Sequence, residues 1–296
     1  MGRTVENCVC CRSDDLESSP ALWMPFVSHK AMNLPPMRID SGFGLRTIPE
    51  GTGYALCKSM MCRMCGHLFV DYRFSDAEMS NLYQDYRGAY YTELRERYEP
   101  GYIERNRVIC EGISYVTEIE AFLADFVPDS GITILDWGGD TGTNTPFPKR
   151  RSLLHIYDPS AKNAGDEGAV SFSSIPKPPI AYDLIVLSNV LEHIPFPNET
   201  LSAIKPFMSS KTTLYVEVPL EGLQRDAMGP PYVGAASKKH WHEHINFFTK
   251  DSMNTLLLNA GFSIASASVV DHGNSHEKAL GSASTLLLYA CQLGRR

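Results

Sequence analysis

Asp136, Gly138, Gly139 and Gly142 fall in the run Ile132-Thr-Ile-Leu-Asp-Trp-Gly-Gly-Asp-Thr-Gly142, where one acid and three glycines close a short apolar stretch. Ile132 to Leu135, rich in β-branched residues, predicts a strand buried on both faces. The glycines permit a sharp turn in which backbone can approach a ligand closely. A dinucleotide fingerprint would read G-x-G-x-x-G, but Asp140 takes the second glycine's place and Asp136 lies two residues ahead of the first. An acid there repels a pyrophosphate and attracts an amine. S-adenosylmethionine (SAM) has a cationic methionyl amine and no phosphate, so it fits this loop better than a nicotinamide or flavin dinucleotide. The plain alternative is an ordinary strand-to-loop turn, and the residues that follow weigh against it.

Leu153-Leu-His-Ile-Tyr157 predicts a second strand and ends in Asp158. An acid some twenty positions past a glycine loop is placed to accept hydrogen bonds from both ribose hydroxyls. Leu184 to Leu187 predicts a further buried strand, running into Asn189, Glu192 and His193. In a doubly wound sheet, ligands lie outside the carboxyl ends of the strands, so these polar clusters converge on one crevice.

A second chemical group lies downstream. His240-Trp-His-Glu-His-Ile-Asn-Phe-Phe-Thr249 packs three histidines and Glu243 into five residues. In an extended segment His242 would face away from His240 and His244, which favours proton-transfer chemistry over a metal site in this triplet. Surface histidines beside a turn are the bland alternative.

Six of the eight cysteines lie in the first 65 residues. Cys8-Val-Cys-Cys11 and Cys62-Arg-Met-Cys65 each form a C-x-x-C knuckle, and two knuckles complete a tetrahedral zinc site. A disulfide framework is disfavoured without a secretion signal, and a redox pair by the presence of two knuckles rather than one. Some fifty residues separate the knuckles, more than in a simple ribbon, and Cys10, Cys57 and His67 are close enough to replace a ligand. Cys110 and Cys291 read as small apolar packing residues.

Elements must hold these groups. Ser75 and Glu78 form a capping box opening a helix with Met79, Leu82, Tyr83 and Tyr86 on one side. Apolar residues at helical spacing predict one long helix over Tyr102 to Phe126, ended by Pro128. Pro146 and Pro148 fall where a helix should follow the glycine loop, so that helix must start late or be short. Ala169 to Ser174 and Thr213 to Pro219 read as further strands, the former without an acid for an adenine amine, a role Ser171 or Ser173 could fill. Thr249 caps a helix that stops at Gly261. Ser263 to Val270 and Ser284 to Ala290 then suit an antiparallel pair.

Taken together, Asp136-Trp-Gly-Gly-Asp-Thr-Gly142, Asp158 and Asn189-Val-Leu-Glu-His193 resemble the Rossmann-like SAM-dependent methyltransferases over roughly residues 105 to 290. The resemblance implies an α/β fold with SAM held by Asp136, Gly138, Gly139, Gly142, Asp158 and Asn189. With the cysteine-rich N-terminal unit and the Glu-His-Ile-Asn-Phe-Phe segment, the chain is similar to methyltransferases carrying an N-terminal zinc-binding domain, a group that includes bacterial deoxysugar C-methyltransferases. That likeness divides the chain into a zinc-binding unit (1–75, metal ligands Cys8, Cys11, Cys62 and Cys65), a helical tyrosine-rich connector (76–104) and a SAM-dependent methyltransferase domain (105–296). It places His193, Glu243 and His244 in the active site, with His244 as base, Glu243 orienting it and His193 holding an acceptor oxygen. The group's later tyrosine corresponds to Trp241, whose role is not carried over, and its N-terminal tyrosine corresponds to Tyr86, Tyr90 or Tyr91. The implied substrate is a small carbohydrate, such as a nucleotide-linked sugar, methylated on carbon or oxygen.

The chain has 296 residues, 43% of them hydrophobic, enough for one large core and a smaller unit. A formal net charge of −7 without a basic run argues against a nucleic-acid partner. Met1 to Asn7 has no apolar signal core and no run approaches membrane-spanning length, so the chain reads as cytoplasmic without a membrane partner. Two rival functions are a non-catalytic SAM- or nucleotide-binding regulator and a zinc-dependent interaction module on a degenerate core. The His/Glu cluster weighs against the first, and intact Asp136, Gly138 and Asp158 against the second.

Overall fold

A computed structural model describes residues 2–294 apart from 45, 111–114, 161–164, 166–167, 178–180 and 273–283. In chain order the elements that matter are β1 (Leu16–Trp23), α1 (Pro25–Met32), β2 (Leu56–Cys62), β3 (Leu68–Val70), α2 (Asp76–Tyr83), α3 (Ala89–Tyr98), α4 (Tyr102–Cys110), α5 (Val116–Leu123), β4 (Ile132–Trp137), β5 (Arg151–Tyr157), β6 (Val170–Phe172), β7 (Leu184–Ser188), α6 (Pro197–Ile204), β8 (Thr213–Pro219), β9 (His240–Trp241), β10 (Asn246–Phe247), α7 (Lys250–Asn259), β11 (Phe262–His272) and β12 (Ser284–Leu293).

The larger sheet has seven strands in the order β6-β5-β4-β7-β8-β12-β11. The first five are mutually parallel, and β12 joins antiparallel to both β8 and β11. From β4 the chain moves one way to β5 and later the other way to β7, so the crevice of this doubly wound sheet opens at the carboxyl end of β4. β4 and β8 are buried along nearly their whole length because helices cover both faces. α5 packs Ile119 and Leu123 on one face. α6 and α7 pack Leu201, Ile204, Met253, Leu256 and Leu257 on the other.

Three local expectations change. No helix links β4 to β5, because Pro146 and Pro148 interrupt residues 138–150 and the chain crosses in turns with Phe147 buried beneath them. The long helix expected over Tyr102 to Phe126 is described as α4 and α5 with a short 3-10 turn at Ala124–Phe126, and residues 111–114 lie outside the described residues. The capping box at Ser75 forms as expected, and Thr249 makes a second one with Ser252.

The smaller sheet has five strands in the order β9-β1-β2-β3-β10. Its inner three come from the first seventy residues, but both edges come from the segment 240–247. Trp241 enters this unit's apolar core beside Trp23 and Leu68 and donates to Ser59 Oγ at 2.8 Å. The residues carrying the clustered histidines therefore complete the cysteine-rich unit, which cuts across the linear division at residues 75 and 104.

Candidate functional site

The glycine turn after β4 is built by packing. Gly138 has φ +83°, and a Cβ there would stand 2.6 Å from Val190 Cγ2; Gly142 has φ +78°, and a Cβ there would stand 2.6 Å from Ile156 Cδ1. At Gly139 a Cβ would meet the Asp136 carboxyl carbon at 2.4 Å. A side chain at any of these would strain the turn or push it off the strand ends. Asp136 is buried and accepts from Thr145 Oγ1. Burial pushes its carboxyl up to about 6, with the Thr145 bond opposing and the Asp158 charge reinforcing the rise. Asp158 accepts from the amides of Asp140 (3.0 Å) and Ser160 (2.8 Å). A carboxylate has about four acceptor positions, so capacity remains for a ligand. Asn189, at φ 52°, sends its side-chain amide down to Glu217 rather than out along the loop. Fully buried Glu217 also accepts from Tyr115, Ser188 and Tyr215.

Beyond the end of β7, the turn at Leu191–His193 meets the 242–245 bend. His193 Nδ1 lies 2.8 Å from Tyr83 Oη and 3.1 Å from the Glu243 carbonyl oxygen. A carbonyl only accepts, so Nδ1 carries the proton and Nε2 keeps its lone pair. Burial, helped by the nearby His244, lowers the His193 pKa to about 3, so this ring is neutral at physiological pH. His244 stands against it, ring centroids 4.6 Å apart, and its Nδ1 lies 3.1 Å from Glu221 Oε1. Burial would depress His244, but the Glu221 bond and the charges of Glu192, Glu221 and Glu243 raise it overall. Glu192 is 1% exposed and neither carboxylate oxygen takes a hydrogen bond from another described residue.

Glu243 does not orient His244. The two residues are neighbours in a bend and their side chains bond different partners. The Glu243 carboxylate instead accepts from Arg95 Nη1 at 2.6 Å, both side chains nearly buried. Arg95 also bonds Tyr91 Oη and Glu99, and His242 lies 3.4 Å from Glu99 on the far side. His242 pairs with His240, their centroids 5.6 Å apart, and His244 is the one that departs, because the strand alternation ends at Trp241. The tyrosine reaching this cluster is Tyr83 rather than Tyr86, Tyr90 or Tyr91. Tyr86 stacks edge-on against Tyr83, Tyr91 holds Arg95, and Tyr90 is exposed.

Glu221, Tyr83, Arg95 and Glu217 were missed as site residues. Glu221 carried a readable signal, since it is the acid just past a parallel strand, as Asp158 is. Glu217 is a lone charge inside the apolar run Thr213–Pro219, and Tyr91, Arg95 and Glu99 recur at four-residue spacing along α3 and its C-cap.

The cysteine cluster is equally compact. Cys8 and Cys65 sulfurs lie 3.6 Å apart, Cys11 and Cys62 sulfurs 3.4 Å apart, and all four fall within 4.8 Å of one another. These separations are far beyond a disulfide bond of about 2.05 Å. They approach the roughly 3.8 Å between sulfurs around tetrahedral zinc with bonds of about 2.3 Å. Cys10 and Cys57 stay outside the foursome, and His67 is stacked between Phe69 and Phe248.

One polar seam joins this unit to the crevice. Fully buried Arg73 donates to Asn246 Oδ1 at 2.9 Å, and Asn246 Nδ2 donates to the carbonyls of Leu191 (2.9 Å) and Ile194 (2.7 Å). The amides of Ile245 and Asn246 both donate to the Glu192 carbonyl.

The model of a methyltransferase-domain family matches residues 104–267, more than half of the chain. The chain belongs to that family. The match spans the parallel strands, the glycine loop and the histidine cluster, and the α/β sheet is the fold of SAM-dependent methyltransferases. Among solved structures, this methyltransferase is similar to the 1,6-didemethyltoxoflavin-N1-methyltransferase of Burkholderia thailandensis, bound to its substrate and S-adenosylhomocysteine. Identity is 14% over 65% of this chain and 84% of that one, with a TM-score of 0.48. It is also similar to an S-adenosylmethionine-dependent methyltransferase of Mesorhizobium loti (13% identity, 58% and 96% covered, TM-score 0.38). A third likeness is to a SAM-dependent methyltransferase of Leishmania major (12% identity, 60% and 71% covered, TM-score 0.43). No curated protein sequence matches the chain. No described helix is long and apolar enough to cross a membrane.

Proposed function

We propose that this methyltransferase uses SAM to methylate a carbon or oxygen of a small carbohydrate acceptor, such as a nucleotide-linked sugar, with structural zinc on Cys8, Cys11, Cys62 and Cys65. The observation that carries the reading is the His244–Glu221 pair facing neutral His193 beside the cofactor loop. SAM, when bound, supplies an activated methyl group, so the chain's own residues need mainly to align an acceptor and remove one proton.

Asp136, Asp158 and the Gly138–Gly142 turn offer acceptors and close backbone for the amine, the ribose and the methionyl chain. His244 Nδ1–H donates to Glu221, which leaves Nε2 to take a proton from the acceptor, and Glu221 stabilises the imidazolium that results. For carbon methylation, that proton comes from a position beside a keto group and the His244 imidazolium it forms stays beside the developing enolate, while His193, held by Tyr83 and the Glu243 carbonyl, offers its accepting Nε2 to a hydroxyl of the acceptor. For oxygen methylation, the hydroxyl proton goes to the same nitrogen. Glu243 serves by anchoring the bend to Arg95.

Isotopically labelled SAM incubated with a panel of nucleotide-linked sugars, with products read by mass spectrometry, tests the reading. Label in a sugar supports it. Label only in other small molecules, with the whole sugar panel untouched, overturns the carbohydrate assignment, and tandem fragmentation of a labelled sugar separates carbon from oxygen attachment.

A further inference from the structure

Glu192 has no place in the proton transfer just described, yet it is 1% exposed and both of its carboxylate oxygens are buried without a hydrogen-bond partner among the described residues. A carboxylate buried without partners is unfavourable unless something else meets it. His193 Nε2 lies 3.8 Å from Oε1, too far for a hydrogen bond. One ligand atom from each of Glu192, His193 and His244 lies within 4.8 Å of the others.

We infer that Glu192, His193 and His244 form a second metal site, separate from the cysteine cluster, for a divalent transition ion of the zinc, iron(II), manganese or cobalt class. Two imidazoles and one carboxylate are the donor set those ions prefer, whereas calcium and magnesium favour oxygen alone. The outer partners argue for the same assignment. A metal-bound histidine almost always donates its other ring N–H to a carboxylate or a carbonyl, which fixes the free nitrogen toward the ion. His244 meets the Glu221 carboxylate through Nδ1, and His193 meets the Glu243 carbonyl through Nδ1. That leaves each Nε2 free as a ligand, and His193 Nε2 stands 3.8 Å from the partnerless carboxylate. Bonds of about 2.1 Å would draw the three ligand atoms to about 3–3.5 Å apart. Rotation of the His244 ring, whose side chain is 34% exposed, supplies that contraction and leaves an open side for water or an acceptor oxygen. The backbone behind the site is held, since the amides of Ile245 and Asn246 fix the Glu192 carbonyl.

Ligation and proton abstraction compete for one lone pair on His244, so metal occupancy should suppress methyl transfer. That consequence rests on the reaction proposed above, but the site itself does not.

Cobalt(II) titration of the full-length protein tests the site without any turnover. Cobalt on the cysteines gives strong thiolate charge-transfer absorption, and cobalt on imidazole and carboxylate gives only weak visible bands. The expected result is one equivalent bound with the weak bands alone, beyond any thiolate signal. Glu192→Gln and His244→Ala should each weaken that equivalent by about tenfold or more, since loss of even an outer partner costs that much. His244 is partly exposed, so the second variant can fold where the first does not. Uptake confined to the thiolate signal, or variants that bind the second equivalent like the parent, would overturn the proposal.

Discussion

Glu243→Gln separates a structural carboxylate from a catalytic one. The substitution keeps the side chain's shape and removes its charge, so Arg95 loses a nearly buried partner at 2.6 Å while keeping Glu99 and Tyr91. Burial alone would raise the Glu243 pKa, but Arg95 and the two neighbouring histidines outweigh it and bring it from 4.5 down to about 2. That gap of about 2.5 pH units, at about 1.36 kcal/mol each, corresponds to about 3 kcal/mol of stability from the ionised form. The figure agrees with the roughly 3–5 kcal/mol lost when one partner of a buried pair is removed. The sign follows from the depressed pKa. The contribution is fully present well above 4.5, shrinks as pH falls from there toward about 2, and is gone below that, where parent and variant are both neutral at this position. Denaturant unfolding of both proteins should therefore differ by about 3 kcal/mol at neutral pH and by progressively less toward about pH 3. Turnover of the folded variant should stay within about threefold of the parent. A variant as stable as the parent but catalytically impaired would refute this reasoning and return Glu243 to the chemistry.

Replacing His244 with Ala should lower turnover by roughly 10²–10⁴ while SAM affinity, read by calorimetry, stays nearly constant, as for a lost general base. Asp158→Ala should weaken SAM binding by roughly 1.5–3 kcal/mol, the scale of hydrogen bonds to a charged group; unchanged affinity would mean the ribose is held elsewhere. Elemental analysis should find one zinc per parent chain and none in Cys62→Ser, which should loosen residues 1–75 first in hydrogen exchange; a parent purified without chelator and free of metal would end the zinc assignment. Asn246→Ala takes the shortest acceptor from Arg73 and a donor from the carbonyls of Leu191 and Ile194 in a site at 1% exposure, and should cost about 3 kcal/mol in denaturant unfolding; a loss under about 1 kcal/mol would show that water replaces the amide.

The legible parts of this chain were those where chemistry and local sequence coincide. Asp136 and its glycines occupy one turn, Asp158 ends one strand, and the two knuckles each span four residues, so spacing alone exposes them. The crossover after the glycine loop was only half legible, because Pro146 and Pro148 forecast a disturbed helix but not its complete replacement by turns. The histidine cluster was obscured by sequence distance. Tyr83 meets His193 from 110 residues away, and Arg95 meets Glu243 from 148. The pairing of His244 with Glu221 rather than Glu243 depends on a bend that adjacency in the chain concealed. Period-two reasoning fails where a strand stops after two residues, as β9 does at Trp241.

The histidine segment has its geometry because it serves two sheets at once. β9 and β10 pair with opposite edges of the cysteine-rich sheet, so residues 242–245 have both ends fixed. Between those ends, the Ile245 amide is committed to Glu192, and the carboxylate of Glu243 to Arg95. The His244 ring is left facing Glu221, His193 and the open crevice. Asn246 completes the coupling, because the same amide group that meets Arg73 beside the cysteine unit also holds the carbonyls flanking Glu192 and His193. A buried group with all its bonds made has one low-energy arrangement. The cysteine-rich unit thus fixes the histidine side of the crevice, proposed for the acceptor, through backbone and one amide, while the loop of β4 and the end of β5 form the side proposed for the cofactor. Metal loss at the knuckles should consequently be felt at His193 before it is felt at Asp158.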